Sequence, residues 1–252
     1  MAEAKKLPHP AGPFLEKMCK YWIPVVLNTL QWSIAGHNEA IQYRAHSSAG
    51  DCKEFLHNEL ADMVKAGHWF VLPYSIVQHT TDLQISPLGV VPKQGCQPRP
   101  IVIYTFSGVN KAMVKLAPPE SMQFGKALDR IIQKAAGANL YHGIVNLSKL
   151  NLAGAFMRVG LSPFMIVKLA VVVPTTSTDK DPLIAVPMAL PMGWMESSTA
   201  FSMVTETIAD LANAKIAQGH ILAPYHHHKA VANTMPEPPI MTECLQDSSD
   251  QH

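Results

Sequence analysis

The chain predicts a mixed α+β fold, and three observations carry that expectation. Runs of β-branched residues at strand length and apolar stripes at helical spacing both occur. They follow one another as helix, strands, helix, strands, helix, without the regular alternation of a doubly wound sheet. An apolar share of 48% over 252 residues supplies a core sufficient for one large or two small domains.

Taken in order, residues 1–50 give mixed signals. The run CKYWIPVVLNTL is apolar enough to pack, yet Pro24 interrupts it, and this part is read as an N-terminal extension of unknown structure. DCKEFLHNELADMVKAG predicts a helix: Asp51 serves as cap with Glu54 three residues on, Phe55, Leu56, Leu60, Met63 and Val64 form a stripe, and Gly67 stops it. HWFVLPYSIV and SPLGVVPK read as short strands broken by Pro73, Pro87 and Pro92. RPIVIYTFSGVN reads as a further strand ending in a turn at Gly108.

FGKALDRIIQKAAG returns to helical spacing through Phe124, Leu128, Ile131 and Ala135. GIVNLSKLNL, KLAVVVP and PLIAVPMAL are three strand-like runs. SSTAFSMVTETIADLANAKIAQG predicts a long helix capped by Ser197 or Ser198, with Phe201, Val204, Ile208 and Leu211 facing inward and Gly219 ending it. Residues 223–252, with the tract His226–His228 and an acidic end, read as a disordered tail.

Composition excludes several function classes. A formal net charge of +1 with 15% charged residues gives no whole-chain sign of a nucleic-acid or anionic-membrane partner. Between Ser86 and Lys134, however, seven Lys or Arg face two acidic residues, a local excess suited to a phosphate backbone. The four cysteines form no CxxC pair and have no histidine at zinc-finger spacing. They read as free thiols of a reducing compartment. No signal peptide is visible in MAEAKKLPHPAGPF, and the greasiest run, FMIVKLAVVVP, contains Lys168 and falls short of the roughly 20 residues of a spanning helix. The expected location is intracellular, cytoplasm or nucleus, with no membrane partner.

Three stretches together carry chemistry: SPLGVVPKQGCQPRPIVIYTFSGVN (86–110), SKLNLAGAFMRV (148–159) and LPMGWMESSTAF (190–201). In content, order and spacing they resemble the reverse transcriptases of retrotransposon polyproteins from fungi and other lower eukaryotes. With PPESMQFGKALDRII and TETIADLAN, the resemblance covers roughly residues 51–222. It implies a right-hand polymerase: a fingers-like region over 51–140 and a partial palm over 141–222.

On that resemblance the nucleotide-binding positions are Lys93, Arg99, Ala155, Phe156 and Gly193. Lys93 and Arg99 would grip the triphosphate, Phe156 would exclude a ribose 2′-hydroxyl or simply join the core, and Gly193 would lie under a base pair or simply make a turn. The ancestral activity implied is RNA-templated DNA synthesis with Mg2+ as cofactor.

The departures from the pattern concern charge. The metal-binding aspartate position of D-x-x-D-A is Asn151, the second acidic position is Gly154, and I-V-D-Y becomes I-V-I-Y at Ile103. No adjacent Asp-Asp follows the last helix. Magnesium needs hard, anionic oxygen ligands, and even disturbing groups behind the ligands typically costs 10–100-fold. Since phosphoryl transfer rests on positioning and charge neutralisation, Asn151 and Gly154 are vestigial. The chain is expected to hold no metal, to need no cofactor and to make no DNA. The alternatives are a non-enzymatic remnant that binds nucleic acid weakly or docks on an intact polymerase, and a non-functional reading frame whose bare strand edges invite aggregation.

Overall fold

The computed structural model describes residues 11–28, 31–92, 94–95, 97–116, 127–139, 141, 143, 152, 154–174 and 181–219. Lys93, Asn151, most of GIVNLSKLNL and the whole of 223–252 lie outside them.

In chain order the elements are α1 (Gly12–Tyr21), α2 (Ile34–Tyr43), α3 (Lys53–Lys65), β1 (Trp69–Pro73), α4 (Tyr74–Val77), β2 (Ile85–Val91), β3 (Arg99–Val102), α5 (Val109–Ala112), α6 (Ala127–Ala136), β4 (Ala170–Val172), β5 (Leu183–Pro187) and α7 (Met195–Ala217). The fold is mixed α+β, built on a five-stranded mixed sheet of order β1-β5-β4-β2-β3. β1 runs antiparallel to β5 from Trp69 opposite Pro187 to Pro73 opposite Leu183. β5 and β4 are antiparallel, β4 and β2 are parallel, and β2 and β3 form an antiparallel hairpin with Val91 opposite Arg99. Strands of 51–140 and 141–222 therefore interleave in one sheet.

The central strands are buried along both faces: every residue of β4, and β2 from Ile85 to Val90. Their runs of Val, Ile, Leu and Ala accordingly lack alternation. Pro87 does not break β2. It sits where the strand changes partner, its carbonyl accepting from the Ile103 N–H at 3.0 Å, so the missing donor falls at a gap in the ladder. The sheet edges are short, β1 ending in Pro73 and β3 carrying Arg99 and Pro100, which discourages edge pairing.

Helix α3 follows most of its predicted stripe, with Leu56 and Leu60 buried, Phe55 and Met63 half-buried and Val64 exposed, and Gly67 is left-handed just beyond its end. Its start differs from expectation. Asp51 lies in a 3-10 turn, Ser47–Cys52, and the helix opens at Lys53 with no side-chain cap. The predicted strand through YSIV stops at Pro73, and Tyr74–Val77 forms the single helical turn α4.

The described part of residues 1–50 is built into the same core. The Ile23 N–H donates to the Gly160 carbonyl at 3.2 Å and the Ser162 N–H to Ile23 at 2.8 Å; Asn28 and Val114 donate to Ala112 and Val26. Ile23, Val25 and Leu27 are buried. Further on, the His46 N–H donates to Leu88 and the Ser48 hydroxyl accepts from the Val90 N–H. This segment thus continues the edge of β2 past the end of β4.

Candidate functional site

The three stretches that carry the resemblance meet around the start of α7. The hairpin β2–β3 and the loop 190–194 touch where the Val102 N–H donates to the Met192 carbonyl at 3.2 Å. Asn110, two residues into α5, bonds both sides of that loop: its Nδ2 donates to the Gly193 carbonyl and its Oδ1 accepts from the Met195 N–H, each at 3.0 Å. Stretch 154–159 joins through the Leu190 N–H, which donates to Val159 at 3.0 Å, and through Phe156, whose ring meets Phe201 edge to face at 5.6 Å.

This geometry corrects the predicted cap. Helix α7 begins at Met195, and its first orphan N–H is satisfied by Asn110 from a distant part of the chain. Ser197 instead donates its hydroxyl to the Pro191 carbonyl at 2.7 Å. The inward face also differs. Glu196, Ala200, Met203 and Thr207 are buried, while Ile208 is 60% exposed and Phe201, Val204 and Leu211 are half-buried.

Gly193 has φ +106, and a Cβ there would stand 2.2 Å from the Val102 carbonyl oxygen. No side chain fits, because β3's backbone occupies the space. Gly154 also lies in the left-handed region, at φ +58, but nothing stands within 4 Å of a Cβ built there. It opens onto a cleft of about 400 Å3 lined by Glu59, Asp62, Met63, Ala66, His68, Met157 and Arg158.

Ala155 is half-buried and leads into a 3-10 turn, Phe156–Arg158. Arg99 is exposed at the start of β3. At the departure position Ile103, the terminal methyl lies 3.1 Å from where a Cβ on Gly89 would be. An apolar group therefore covers the hairpin where the resembled pattern has a carboxylate.

The donor set does not fit a pair of magnesium ions. Gly154 offers no side-chain oxygen, Asn151 lies outside the described residues, and Glu59 and Asp62 belong to no group of three metal-ligating side chains among the described residues. A cation seat needs several converging anionic oxygens.

Sequence reasoning missed Glu196. It is 1% exposed in the first turn of α7, and its carboxylate makes no hydrogen bond of ordinary geometry among the described residues, only a looser approach to the Leu116 backbone. Burial pushes its carboxyl up from the ordinary range, against a weaker downward pull from the Leu116 backbone and the Lys115 ammonium. Nothing in ESS at a helix start signals burial, since acids are common there. Trp194 is buried at 2% exposure.

No protein-family model matches the chain, and no curated protein does. Among the described residues no helix is long and apolar enough to cross a membrane.

Proposed function

We propose that this chain is a reverse-transcriptase-like fold, the fingers and part of the palm, that makes no DNA and binds a template–primer weakly through its cationic hairpin side. The observation that supports this most is the convergence of the three resembling stretches. Local propensity gives no reason for 86–110, 154–159 and 190–201 to meet, yet Asn110, Val102 and Leu190 tie them by hydrogen bonds.

The chemistry follows from the charges. From Arg99 to Leu116 the chain carries Arg99, Lys111 and Lys115 and no acid. All three are exposed. Such a surface attracts phosphates by counterion release, with affinity falling steeply as salt rises. Without converging carboxylates nothing neutralises the charge that develops during nucleotidyl transfer.

Two measurements on the full chain test the reading. Primer extension with Mg2+ and deoxynucleoside triphosphates is expected to give no product. Fluorescence anisotropy of a labelled primer–template is expected to report binding at 25 mM salt that weakens with a log–log slope of about −3, for three neutralised phosphates. Extension product, or a flat titration at every salt concentration, overturns the proposal. An intact polymerase as partner and a location in cytoplasm or nucleus belong to the same reading.

A further inference from the structure

Among the aromatic ring pairs of the described residues, one has both rings open to solvent. Tyr43, the last residue of α2, and Phe106, in the turn after β3, lie with ring centroids 4.4 Å apart and planes tilted by 33°. They are 51% and 39% exposed. Single exposed aromatics are ordinary, but two rings brought together from distant parts of the chain form a continuous π surface whose burial the fold has not completed.

Both rings are held by backbone. Helix α2 ends at Arg44, which has φ 62 and donates its N–H to the Ile41 carbonyl. The Phe106 N–H donates to Ile103, whose own N–H is bonded to Pro87 in β2. The platform is therefore tied to the hairpin, with Arg44 adjoining Tyr43 in sequence and exposed Lys111 following in α5.

We infer that the stacked Tyr43–Phe106 pair is a stacking platform for an unpaired base of single-stranded nucleic acid. An inference of this kind rests on the nucleic-acid reading above and says which part of the ligand the surface takes. Bases stack on aromatic faces without sequence preference while neighbouring cations hold the backbone phosphates. Bases inside a duplex are stacked on both faces, so only its two terminal pairs offer a face to such a platform. The charge favours a polyanion over an apolar peptide: the two segments that carry the rings, 34–44 and 99–116, hold Arg44, Arg99, Lys111 and Lys115 against Glu39 alone.

The test uses two labelled probes of equal nucleotide number, an oligothymidylate and a loop-free blunt duplex. They are titrated at low salt into the full chain and into F106L, F106W and Y43L, each checked for an unchanged thermal transition. Phe106→Leu keeps apolar bulk but removes the π face; Phe106→Trp keeps it. The inference expects F106L and Y43L to lose about tenfold on oligothymidylate, with F106W at parental affinity and the duplex unmoved.

Equal oligothymidylate affinity for parent and F106L overturns the platform while leaving nucleic-acid binding intact. An equal loss on both probes also overturns it, since the rings then serve only the shape of the surface. Binding of neither probe by the parent chain removes the underlying reading and the platform with it.

Discussion

Gly193 and Gly154 stand in two of the three resembling stretches, both with positive φ, and they meet opposite surroundings. At Gly193 the backbone of β3 comes so close that a Cβ would sit 2.2 Å from the Val102 oxygen, and at Gly154 there is open space. The first glycine is demanded by packing, whereas the second is demanded only by its own backbone angle. The contrast teaches that the junction of hairpin, loop and α7 is over-determined by packing, while the cleft rim at Gly154 leaves room for a side chain.

The sharpest way to break this comparison is to add one methyl to each glycine. Gly193→Ala must displace β3 from the loop and hold an L-residue in a disfavoured conformation. About 3 kcal/mol or more of stability should be lost, read as a fall in the urea midpoint. A loss below 1 kcal/mol would show that the junction yields easily, and the contrast would fail.

Next in size is Asn110→Ala, which strips the cap from Met195 and the donor from the Gly193 carbonyl. About 1–2 kcal/mol should be lost, with hydrogen exchange rising in the first turn of α7 more than in α3. Uniform change across both helices would count against a local cap.

Gly154→Ala should cost about 1 kcal/mol, the intrinsic left-handed penalty alone, and Gly154→Asp less, because aspartate tolerates that region. G154D should also remain inactive in primer extension, since one restored carboxylate does not make a two-metal seat. A clear extension product from G154D would reverse the reading of the rim.

The smallest effect, and one gated by pH, belongs to Glu196. Its folded-state carboxyl is raised by burial, so the folded chain holds a proton that the unfolded chain gives up. The stability this contributes is complete below the ordinary carboxylate range and is lost as pH rises through the raised value. Glu196→Gln cannot ionise. Its melting temperature should fall less than the parent's between pH 4 and 8, and parallel curves would show that Glu196 is not buried as described.

Much of this architecture is legible in the sequence. The stripe Leu56–Leu60 placed α3, and the β-branched density of ISPLGVV, AVV and LIAVP marked the inner strands. What escaped depends on partners distant in sequence. Ser197 looked like a cap because it is local, yet Asn110 does the capping. Ile208 continued the apolar spacing, yet it faces solvent while polar Thr207 is buried, its hydroxyl donating to the Met203 carbonyl at 2.8 Å. Residues 22–28 show no clear periodicity because their contacts are isolated bridges to Leu161 and Met113, which leave no repeating pattern to read.

By itself the sequence determined the mixed class, the local course of most helices and strands, and the absence of acidic groups at Asn151, Gly154 and Ile103. Those are properties of residue type and short-range spacing, which act wherever the chain lies. Tertiary structure alone decided which element capped which, which glycine was irreplaceable, which carboxylate was buried and which two rings came to stack. Each of these depends on distances between residues far apart along the chain, and such distances exist only once the backbone has closed on itself.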